Sequence, residues 1–289
     1  MAEVKFDEKI FDGLRGKIVI ITGGSSGIGL ATVKFFSAHG AQIVSADLNP
    51  PPEETANVVF RKVDLTKWDE QYDLFEWTAK TYGRIDIAFL NAGVGEIENV
   101  FVDECDDRGR LKEPKYSVLA VNLIAPINGF KIATHFMKKQ PEGGSIVITG
   151  SGKSFNGVGG TPMYAVSKHG LLGLIRTLRT DIPEKYNIRL NLVCPFWTDT
   201  GIIPPEEREK IVSARECMQP ADVPAKAVAY LSLNPQCQGT VLYAACGKYF
   251  DVDWGFYLTR PVWLGAKNHL DRVSWEEDPA ALAFKTKFE

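Results

Sequence analysis

The chain has 289 residues, of which 45% are hydrophobic and 24% charged, and these values are ordinary for a soluble globular protein with a sizeable core. Its 33 basic and 36 acidic residues give a net charge of −3, so no basic excess exists to neutralise phosphates, and a nucleic-acid partner is not expected. No uninterrupted apolar run reaches the roughly 18 residues of a membrane span, and residues 1–12 lack the apolar core of a signal peptide. We therefore expect a cytoplasmic protein with no membrane span.

Short β-rich runs alternate with helical patterns along most of the chain. Seven strands are predicted from apolar and β-branched runs, over Lys17–Thr22, Ala41–Asp47, Val58–Asp64, Ile85–Leu90, Ser145–Thr149, Arg189–Cys194 and Thr240–Ala245. Helices are predicted between them, over Ile28–His39, Lys67–Tyr82, Tyr116–Lys139 with a kink at Pro126, Met163–Tyr186 bent or ended at Pro183, Glu206–Cys217 and Val223–Leu231. The alternation predicts an α/β fold: a doubly wound, seven-stranded parallel sheet of the Rossmann-like type.

The chain is expected to form a single domain over residues 1–252, followed by an irregular aromatic extension over residues 253–289. The extension contains Trp254, Tyr257 and Trp263. It could cover the mouth of a substrate pocket, join a subunit interface or cap the sheet.

Cysteines, histidines and acidic residues show no metal-binding pattern. The odd number and wide spacing of the five cysteines predict reduced thiols at Cys105, Cys194, Cys217, Cys237 and Cys246. The four histidines have no mutual metal-ligand spacing. The acidic residues from Glu96 to Asp107 are interpreted as a solvated loop, with a lid as the alternative. We therefore predict no metal site.

A glycine-rich turn lies between the first strand and the first helix. Glycine allows a tight turn and lets backbone N–H groups approach a pyrophosphate, while the helix N-terminus supplies positive potential. The pattern predicts a dinucleotide site that is built from Gly23, Ser25, Ser26, Gly27, Ile28 and Gly29.

Acidic residues end the second and third strands. Asp47 can accept hydrogen bonds from both hydroxyls of an adenosine ribose and would repel a 2′-phosphate, and the following Leu48 is no arginine. We therefore predict NAD (NADH) as the cofactor rather than NADP. Asp64 and Leu65 are expected to contact the adenine ring, although Asp64 could also serve as a helix N-cap.

Tyr164 and Lys168 stand four residues apart, so in a helix they lie on one face. An unperturbed phenol, with a pKa near ~10, is a poor acid or base at neutral pH, and a neighbouring ammonium lowers that pKa. The hydroxyl of Ser151, thirteen residues before the tyrosine, could hold a carbonyl or alcohol oxygen against the same phenol. These groups could together move a proton on or off a carbinol oxygen.

The motifs, in chain order, resemble those of the short-chain dehydrogenase/reductase family over roughly residues 15–250. The matching positions are Thr22 to Gly29, Asp64, Asn91-Ala92-Gly93, Asn122, Ser151, Tyr164 with Lys168, and Asn191 to Pro195 followed by Thr198 and Thr200. The resemblance implies a homodimer or homotetramer that acts on a small-molecule alcohol or ketone.

The resemblance also implies the roles of four catalytic residues. Tyr164 would be the general acid/base. Lys168 would hold the nicotinamide ribose and, together with the positive nicotinamide ring of the oxidised cofactor, depress the pKa of Tyr164. Ser151 would orient the substrate oxygen, and Asn122 would keep a water that relays the proton through Lys168. Further cofactor contacts would come from Tyr164 itself and from Asn91, Ala92, Gly93, Pro195, Trp197, Thr198 and Thr200.

Phe196 departs from the family, which usually has glycine after this proline. The phenylalanine could narrow the pocket beside the nicotinamide or stack on an aromatic substrate. The run Ser167-Lys168-His169-Gly170 and the long Cys- and Trp-rich C-terminal end most resemble an NAD-dependent branch that oxidises secondary alcohols of lipids and includes 15-hydroxyprostaglandin dehydrogenase-like enzymes. They also resemble the 5′-hydroxyaverantin dehydrogenase-like enzymes of fungal polyketide pathways.

The expected reaction interconverts a secondary alcohol and a ketone, in lipid or polyketide secondary metabolism, and the direction stays open. Two alternatives are kept. The bound cofactor and an aromatic pocket could steer a cyclisation or rearrangement. The protein could also be a non-catalytic NAD-binding regulator, although an intact set of four catalytic residues argues against this.

Overall fold

The computed structural model describes residues 3–97, 100–157 and 159–256, and its centre is one eight-stranded sheet. The strands are β1 (Ile18–Thr22), β2 (Gln42–Asp47), β3 (Val58–Lys62), β4 (Ile87–Leu90), β5 (Gly144–Thr149), β6 (Ile188–Pro195), β7 (Val241–Ala245) and β8 (Lys248–Asp251). Their spatial order is β3-β2-β1-β4-β5-β6-β7-β8. Neighbours from β3 to β7 pair in parallel, and β8 runs antiparallel to β7. The chain order reverses between β1 and β4, which is where ligands bind in doubly wound sheets.

Helices cover both faces of the sheet. They are α1 (Gly27–Ala38), α2 (Trp68–Tyr82), α3 (Ser117–Leu119), α4 (Ala125–Met137), α5 (Pro162–Leu178), α6 (Asp181–Tyr186), α7 (Pro205–Ser213) and α8 (Asp222–Leu233). On one face, α1 and α8 pack with a 3₁₀ helix over Glu8–Leu14, and Phe36 lies in that core. On the other, α2, α4 and α5 contribute Phe75, Phe130 and Leu171. Burial on both faces explains why the strands are continuous apolar runs.

All seven predicted strands are present, but an eighth strand was missed. β8 follows a two-residue turn, Cys246-Gly247, and pairs with β7 so that Leu242 lies opposite Asp251. The turn residues have φ of 52° and 75°, the left-handed conformations that a tight hairpin requires. Cys-Gly is not one of the dipeptides usual in this turn, so the sequence carried little signal for the hairpin. The sheet is therefore mostly parallel with one antiparallel edge.

The long helix that was predicted over Tyr116–Lys139 is interrupted before Pro126 rather than kinked at it. The chain forms α3, then a π-helical segment over Ala120–Ile124, then α4 with Pro126 in its first turn. Pro126 has no N–H to donate to the carbonyl of Asn122 four residues earlier, so the regular ladder cannot continue through this point. Asn122 consequently lies inside the π-helical segment.

The helix that was predicted over Met163–Tyr186 is divided into α5 and α6. The break falls at residues 179–180, because the Arg179 carbonyl cannot receive a helical N–H from the residue four positions on, Pro183. Pro183 lies in the first turn of α6, where the missing N–H of proline does little harm.

One helical stretch among the described residues, Ser117–Met137, is long and apolar enough to cross a membrane by length and composition. Its Phe130 and Ile132 belong to the core beneath the sheet, and Asn122 is fully buried within it. We assign this stretch to the protein core.

The chain after β8 turns back onto α5. Residues 252–256 are helical, in contrast to the irregular extension that was predicted from residue 253. The carboxylate of Asp253, only 1% exposed, accepts hydrogen bonds from Arg176 Nη2 at 2.6 Å and Arg179 Nη1 at 3.1 Å. A buried carboxylate requires such partners, so this ion pair fixes the start of the extension. Residues 257–289 and Glu98 of the acidic stretch lie outside the described residues.

Two of the five cysteines form a disulfide, so the prediction of five reduced thiols is wrong for this pair. Cys217 and Cys246 are joined with their Cα atoms 6.0 Å apart, whereas Cys105, Cys194 and Cys237 remain thiols. The pairing was missed because the two residues are 29 positions apart and meet only when the chain before α8 folds against the β7–β8 turn.

Candidate active site

The glycine-rich turn lies at the carboxyl end of β1, where the chain approaches itself too closely for side chains. A Cβ at Gly23 would lie 2.8 Å from the Ala92 Cα, and one at Gly29 would collide with the Gly23 carbonyl oxygen. Gly23 and Gly27 have φ of 66° and 50°, conformations that glycine adopts at little cost. Since α1 begins at Gly27, its first N–H groups are presented at this turn.

Asp47 ends β2 beside the glycine-rich turn. Its Oδ2 accepts a hydrogen bond from the Ser25 N–H at 3.1 Å, and its Oδ1 accepts one from the Asn49 N–H at 3.2 Å. The Ser25 hydroxyl donates to the Asn49 carbonyl at 2.7 Å. The carboxylate is thus held at the rim of the turn, next to Leu48, which is exposed.

Asn91 fastens three strand ends together. Its amide donates to the carbonyls of Thr22 at 3.2 Å and Gly23 at 3.3 Å, and its Oδ1 accepts from the Thr149 hydroxyl at 3.1 Å. The Thr22 hydroxyl accepts from the N–H groups of Asn91 at 2.9 Å and Ala92 at 3.2 Å. The carboxyl ends of β1, β4 and β5 are therefore locked around the turn.

Asp64 and Leu65 follow β3 at the start of α2. The Asp64 carboxylate accepts hydrogen bonds from the Thr66 hydroxyl at 2.7 Å and the Thr66 N–H at 3.0 Å. The hydroxyl bond is the largest of the effects that lower the pKa of Asp64. Asp64 thus bonds to the backbone just before α2, much as the N-cap alternative expected, although the N-cap residue of α2 is Lys67.

Asn122 is fully buried and fixed to the chain after β4. Its Nδ2 donates to the Val94 carbonyl and its Oδ1 accepts from the Val94 N–H, both at 2.8 Å. Gly93 lies between two of the predicted catalytic side chains: a Cβ there would be 3.3 Å from Asn122 Oδ1 and 3.8 Å from Lys168 Nζ. The structure thus brings Asn122 and Lys168 to the same side of the β4 end.

Ser151 begins a short 3₁₀ turn at the end of β5. Its N–H donates to the Ser154 hydroxyl at 3.1 Å, and its own hydroxyl accepts from the Lys153 N–H at 3.2 Å. This reciprocal capping fixes the serine, and its side chain lies close enough to Tyr164 to lower the pKa of the phenol.

Tyr164 and Lys168 lie on successive turns of α5. Lys168 is 3% exposed, and its Nζ donates to the Thr149 carbonyl at 2.8 Å and lies 5.6 Å from the centre of the Tyr164 ring. Burial lowers the pKa of Lys168 to about 8. Burial also raises the pKa of Tyr164, and the neighbouring Ser151 side chain opposes that rise. The predicted lowering of the Tyr164 pKa is not found in this structure, because desolvation of the phenolate is the larger effect.

Residues 196–219, which we call the cover segment, fold over the glycine-rich turn. Thr200 packs against Gly27, where a Cβ would lie 3.1 Å from Thr200 Cγ2. Thr198 is 5% exposed, and its hydroxyl donates to the Phe196 carbonyl at 2.8 Å and accepts from Gln219 Nε2 at 3.2 Å. Of the two threonines, Thr200 therefore lies at the turn, while Thr198 holds the cover segment together.

The two ends of the cover segment are also joined to each other. The segment leaves the sheet at Pro195, the last residue of β6. The Gln219 N–H donates to the Trp197 carbonyl at 2.9 Å, and Trp197 Nε1 donates to the Glu216 carboxylate at 2.8 Å. The disulfide at Cys217 adds a covalent link to the β7–β8 turn. These links hold the two ends of the segment together and tie it to the β7–β8 turn.

Phe196 belongs to an aromatic cluster beside Ser151. Tyr243 of β7 contacts Phe155 with ring centres 5.2 Å apart and Phe196 with ring centres 6.2 Å apart, both edge to face. A Cβ at Gly152 would lie 3.5 Å from Tyr243 Cε2. All three rings are partly exposed. Tyr243 was missed in the sequence because a tyrosine in an apolar strand is usually a core residue.

Glu96 is a second site residue that the sequence did not reveal. Its carboxylate accepts hydrogen bonds from the N–H groups of Met163 at 3.3 Å and Tyr164 at 2.8 Å. It was assigned to a solvated loop because an acidic run gives no sign of a contact 67 residues away. The one available signal was a helix that begins Pro162-Met163-Tyr164 without an acid in its first turn.

The glycine-rich turn fits an anionic group. Helix α1, which lies wholly within the described residues, has no acidic residue in its first turn. Its N-cap residue, Ser26, makes no side-chain hydrogen bond to the helix. The positive end of the helix dipole is therefore directed at the turn, while the neighbouring Ile28 packs into the core. Within residues 3–97, 100–157 and 159–256, no group of three or more His, Cys, Asp or Glu side chains is placed to hold a metal ion.

The parallel sheet, the glycine-rich turn and the reversal of strand order define a Rossmann-like α/β protein, and this fold indicates a nucleotide cofactor, NAD or NADP. A family model described as short chain dehydrogenase matches residues 17–210. This chain belongs to the short-chain dehydrogenase/reductase family, which confirms the resemblance drawn from its motifs. It is an oxidoreductase family whose members act on small molecules.

Individual relatives agree with this assignment. The chain is 38% identical to the short-chain dehydrogenase/reductase ascJ of Acremonium egyptiacum, over 88% of this chain and 86% of that protein. It is 31% identical to (+)-borneol dehydrogenase 1 of Salvia officinalis, over 76% of this chain and 87% of that protein. The ligand-free structure of Thermoplasma acidophilum aldohexose dehydrogenase superposes with a TM-score of 0.68 at 25% identity, covering 82% of this chain and 95% of that one.

Proposed function

We propose that the protein is an NAD(H)-dependent oxidoreductase that interconverts a secondary alcohol and a ketone, with Tyr164 as the general acid/base. The proposal rests above all on the proximity of the Ser151 side chain to the Tyr164 phenol, beside the buried ammonium of Lys168. A substrate oxygen bound between the two hydroxyls could exchange its proton with Tyr164. When bound, the nicotinamide supplies the hydride chemistry.

The other residues support this proton transfer. Ser151 would orient and polarise the substrate oxygen. Lys168 would hold the nicotinamide ribose, and its ammonium favours the phenolate that forms when Tyr164 gives up its proton. Asn122 would hold a relay water through its main-chain carbonyl, because its side-chain amide is bound to Val94 and Pro126 has no N–H to offer.

The direction of proton transfer depends on pH. Burial raises the pKa of Tyr164, so the phenol is protonated at neutral pH and suits ketone reduction as an acid. Alcohol oxidation needs the phenolate, so its rate should increase as pH rises toward that pKa.

The cofactor is proposed to be NAD rather than NADP because of Asp47. The pyrophosphate would lie at the glycine-rich turn, the adenosine ribose at Asp47 and Leu48, and the adenine ring near Asp64 and Leu65. We expect Asp47→Ser to shift the ratio of NADPH to NADH affinity toward NADPH by at least about tenfold, since a carboxylate beside a phosphate costs more than about 1.4 kcal/mol. Fluorescence titration measures both affinities, and Asp69→Ser, an exposed acid on α2, is the matched control. Tighter binding of NADPH by the wild type would exclude this assignment.

The substrate is proposed to be an apolar or aromatic alcohol or ketone of lipid or polyketide secondary metabolism. The partly exposed aromatic cluster of Phe155, Phe196 and Tyr243 beside Ser151 supports this, as does the name of the borneol dehydrogenase relative. If Phe196→Gly leaves substrate preference and kcat/KM unchanged, Phe196 has no part in substrate selection. Family membership favours a homodimer or homotetramer, which light scattering would test.

The experiment that tests the proposed reaction is NADH fluorescence on purified protein with a panel of secondary alcohols and ketones, and NADPH as the control. Turnover with NAD(H) supports the proposal. Product formation without net change in NADH would favour cyclisation or rearrangement. Tight NADH binding without turnover of any compound would favour a regulatory protein.

A further inference from the structure

Helix α5 takes its N-terminal cap from a distant part of the chain. In the described structure its N-cap residue, Thr161, makes no side-chain bond to the first turn, and the Thr161 hydroxyl instead accepts from Lys153 Nζ at 2.6 Å. Pro162 has no N–H, so Met163 and Tyr164 carry the first N–H groups that need an acceptor. Both donate to the Glu96 carboxylate, at 3.3 and 2.8 Å.

Glu96 is held in place by the residues that precede it. Val94 is bonded through both of its backbone groups to the Asn122 side chain. At Gly95 a Cβ would lie 3.5 Å from the Ile202 carbonyl of the cover segment. A single residue therefore separates the backbone bound to Asn122 from the carboxylate bound to the Tyr164 backbone.

We propose that Glu96 is a positioning residue of the active site: its carboxylate caps α5 from the loop after β4 and sets where the Tyr164 phenol lies relative to Ser151. The inference rests on the proposed function, in which Tyr164 exchanges the proton. Tyr164 is the third residue of α5, within the turn that frays first when a cap is lost. The negative charge of Glu96 also complements the positive end of the helix dipole.

A modest change in the cap has a large kinetic effect because the reacting group lies in the capped turn. Misplacing a reacting group by about 1 Å can cost on the order of 100-fold in rate. We expect Glu96→Ala to lower kcat by at least about tenfold while the Kd for NADH changes by less than about twofold. Glu96→Gln keeps a carbonyl oxygen that can accept one N–H, so its kcat should lie between that of the wild type and that of Glu96→Ala. Glu104→Ala, an exposed acid of the same loop, is the matched control and should equal the wild type.

A second substitution, at the N-cap residue of α5, can replace the cap that Glu96→Ala removes. An aspartate at an N-cap accepts from the N–H groups two and three residues on, which here are those of Met163 and Tyr164. The double variant Glu96→Ala/Thr161→Asp should therefore recover most of the kcat that Glu96→Ala loses. A general disturbance of the loop would not be repaired in this way.

Hydrogen exchange of the Met163 and Tyr164 amides reports on the cap without reference to turnover. Exchange should be faster in Glu96→Ala and slow again in the double variant. Unchanged exchange, turnover of Glu96→Ala within about twofold of wild type, or lost turnover that Thr161→Asp does not restore would each overturn the proposal. An active Tyr164→Phe variant would overturn the proposed function itself, whereas an inactive Tyr164→Phe with a fully active Glu96→Ala would overturn the role of Glu96 alone.

Discussion

At the carboxyl edge of the sheet, the nucleotide side is shaped by the backbone and the catalytic side by buried side chains. On the nucleotide side, close backbone contacts at Gly23 and Gly29 leave no room for a side chain. On the catalytic side, the polar side chains of Asn122 and Lys168 are buried, and each donates a hydrogen bond to a backbone carbonyl. On the nucleotide side, a substitution that adds a side chain should therefore cause a steric collision and weaken cofactor binding. The catalytic side carries a stability cost at the buried ammonium, so replacing Lys168 should end the chemistry and can strengthen the fold.

The largest expected effect on cofactor binding is on the nucleotide side. Gly29→Ala should weaken NADH binding by on the order of 100-fold, because the added Cβ collides with the Gly23 carbonyl oxygen and displaces the turn. Fluorescence titration measures the affinity. Gly173→Ala is the matched control, since a Cβ there meets no atom within 4 Å among the described residues. NADH affinity of Gly29→Ala within about threefold of wild type would show that the turn does not bind through its backbone.

On the catalytic side, we expect Lys168→Met to abolish turnover and to stabilise the fold. Burial moves the Lys168 pKa from 10.5 to about 8, so keeping the charge at pH 7 costs the folded state roughly 3 kcal/mol, while the bond to the Thr149 carbonyl returns about 1 kcal/mol. We therefore expect the variant to lack turnover and to unfold with a free energy about 2 kcal/mol above that of the wild type at pH 7.

This difference should depend on pH in one direction. The folded pKa of Lys168 lies below its unfolded value, so the cost is complete below about pH 8 and vanishes above about pH 10.5, where both states are neutral. Urea unfolding of both proteins at pH 7 and pH 9.5 should show the gap narrowing. Lys80→Met, at an exposed lysine, should show no such change. A Lys168→Met protein less stable than the wild type at pH 7 would contradict the account.

The smallest expected effect concerns the cover segment, which spans both sides. Thiol titration without reductant should detect one rapidly reacting thiol in the native protein, the exposed Cys105, and three after unfolding. Reduction should leave NADH affinity unchanged, because Gln219 still holds the segment through Thr198 and the Ala244 carbonyl. Detection of all five thiols on unfolding without reductant would restore the original prediction that every cysteine is reduced.

The sequence could predict those features of the site that depend on residues close together in the chain. The glycine-rich turn, the acid at the end of β2 and the Tyr164–Lys168 pair are each local, so spacing along the chain was enough to single them out. The contact of Glu96 with Tyr164 and the bond between Cys217 and Cys246 join distant residues, and local periodicity carries no information about them. The raised pKa of Tyr164 was also missed, because it depends on how far the phenol is buried in the folded chain.

The central claim is that Tyr164 transfers the proton, and Tyr164→Phe tests it most directly. The substitution removes one hydroxyl and leaves the ring, the glycine-rich turn and Lys168 in place. With a substrate that the wild type turns over, the account predicts that kcat/KM falls by at least about 100-fold while the Kd for NADH changes by less than about twofold. Turnover by Tyr164→Phe within a few-fold of wild type would contradict it.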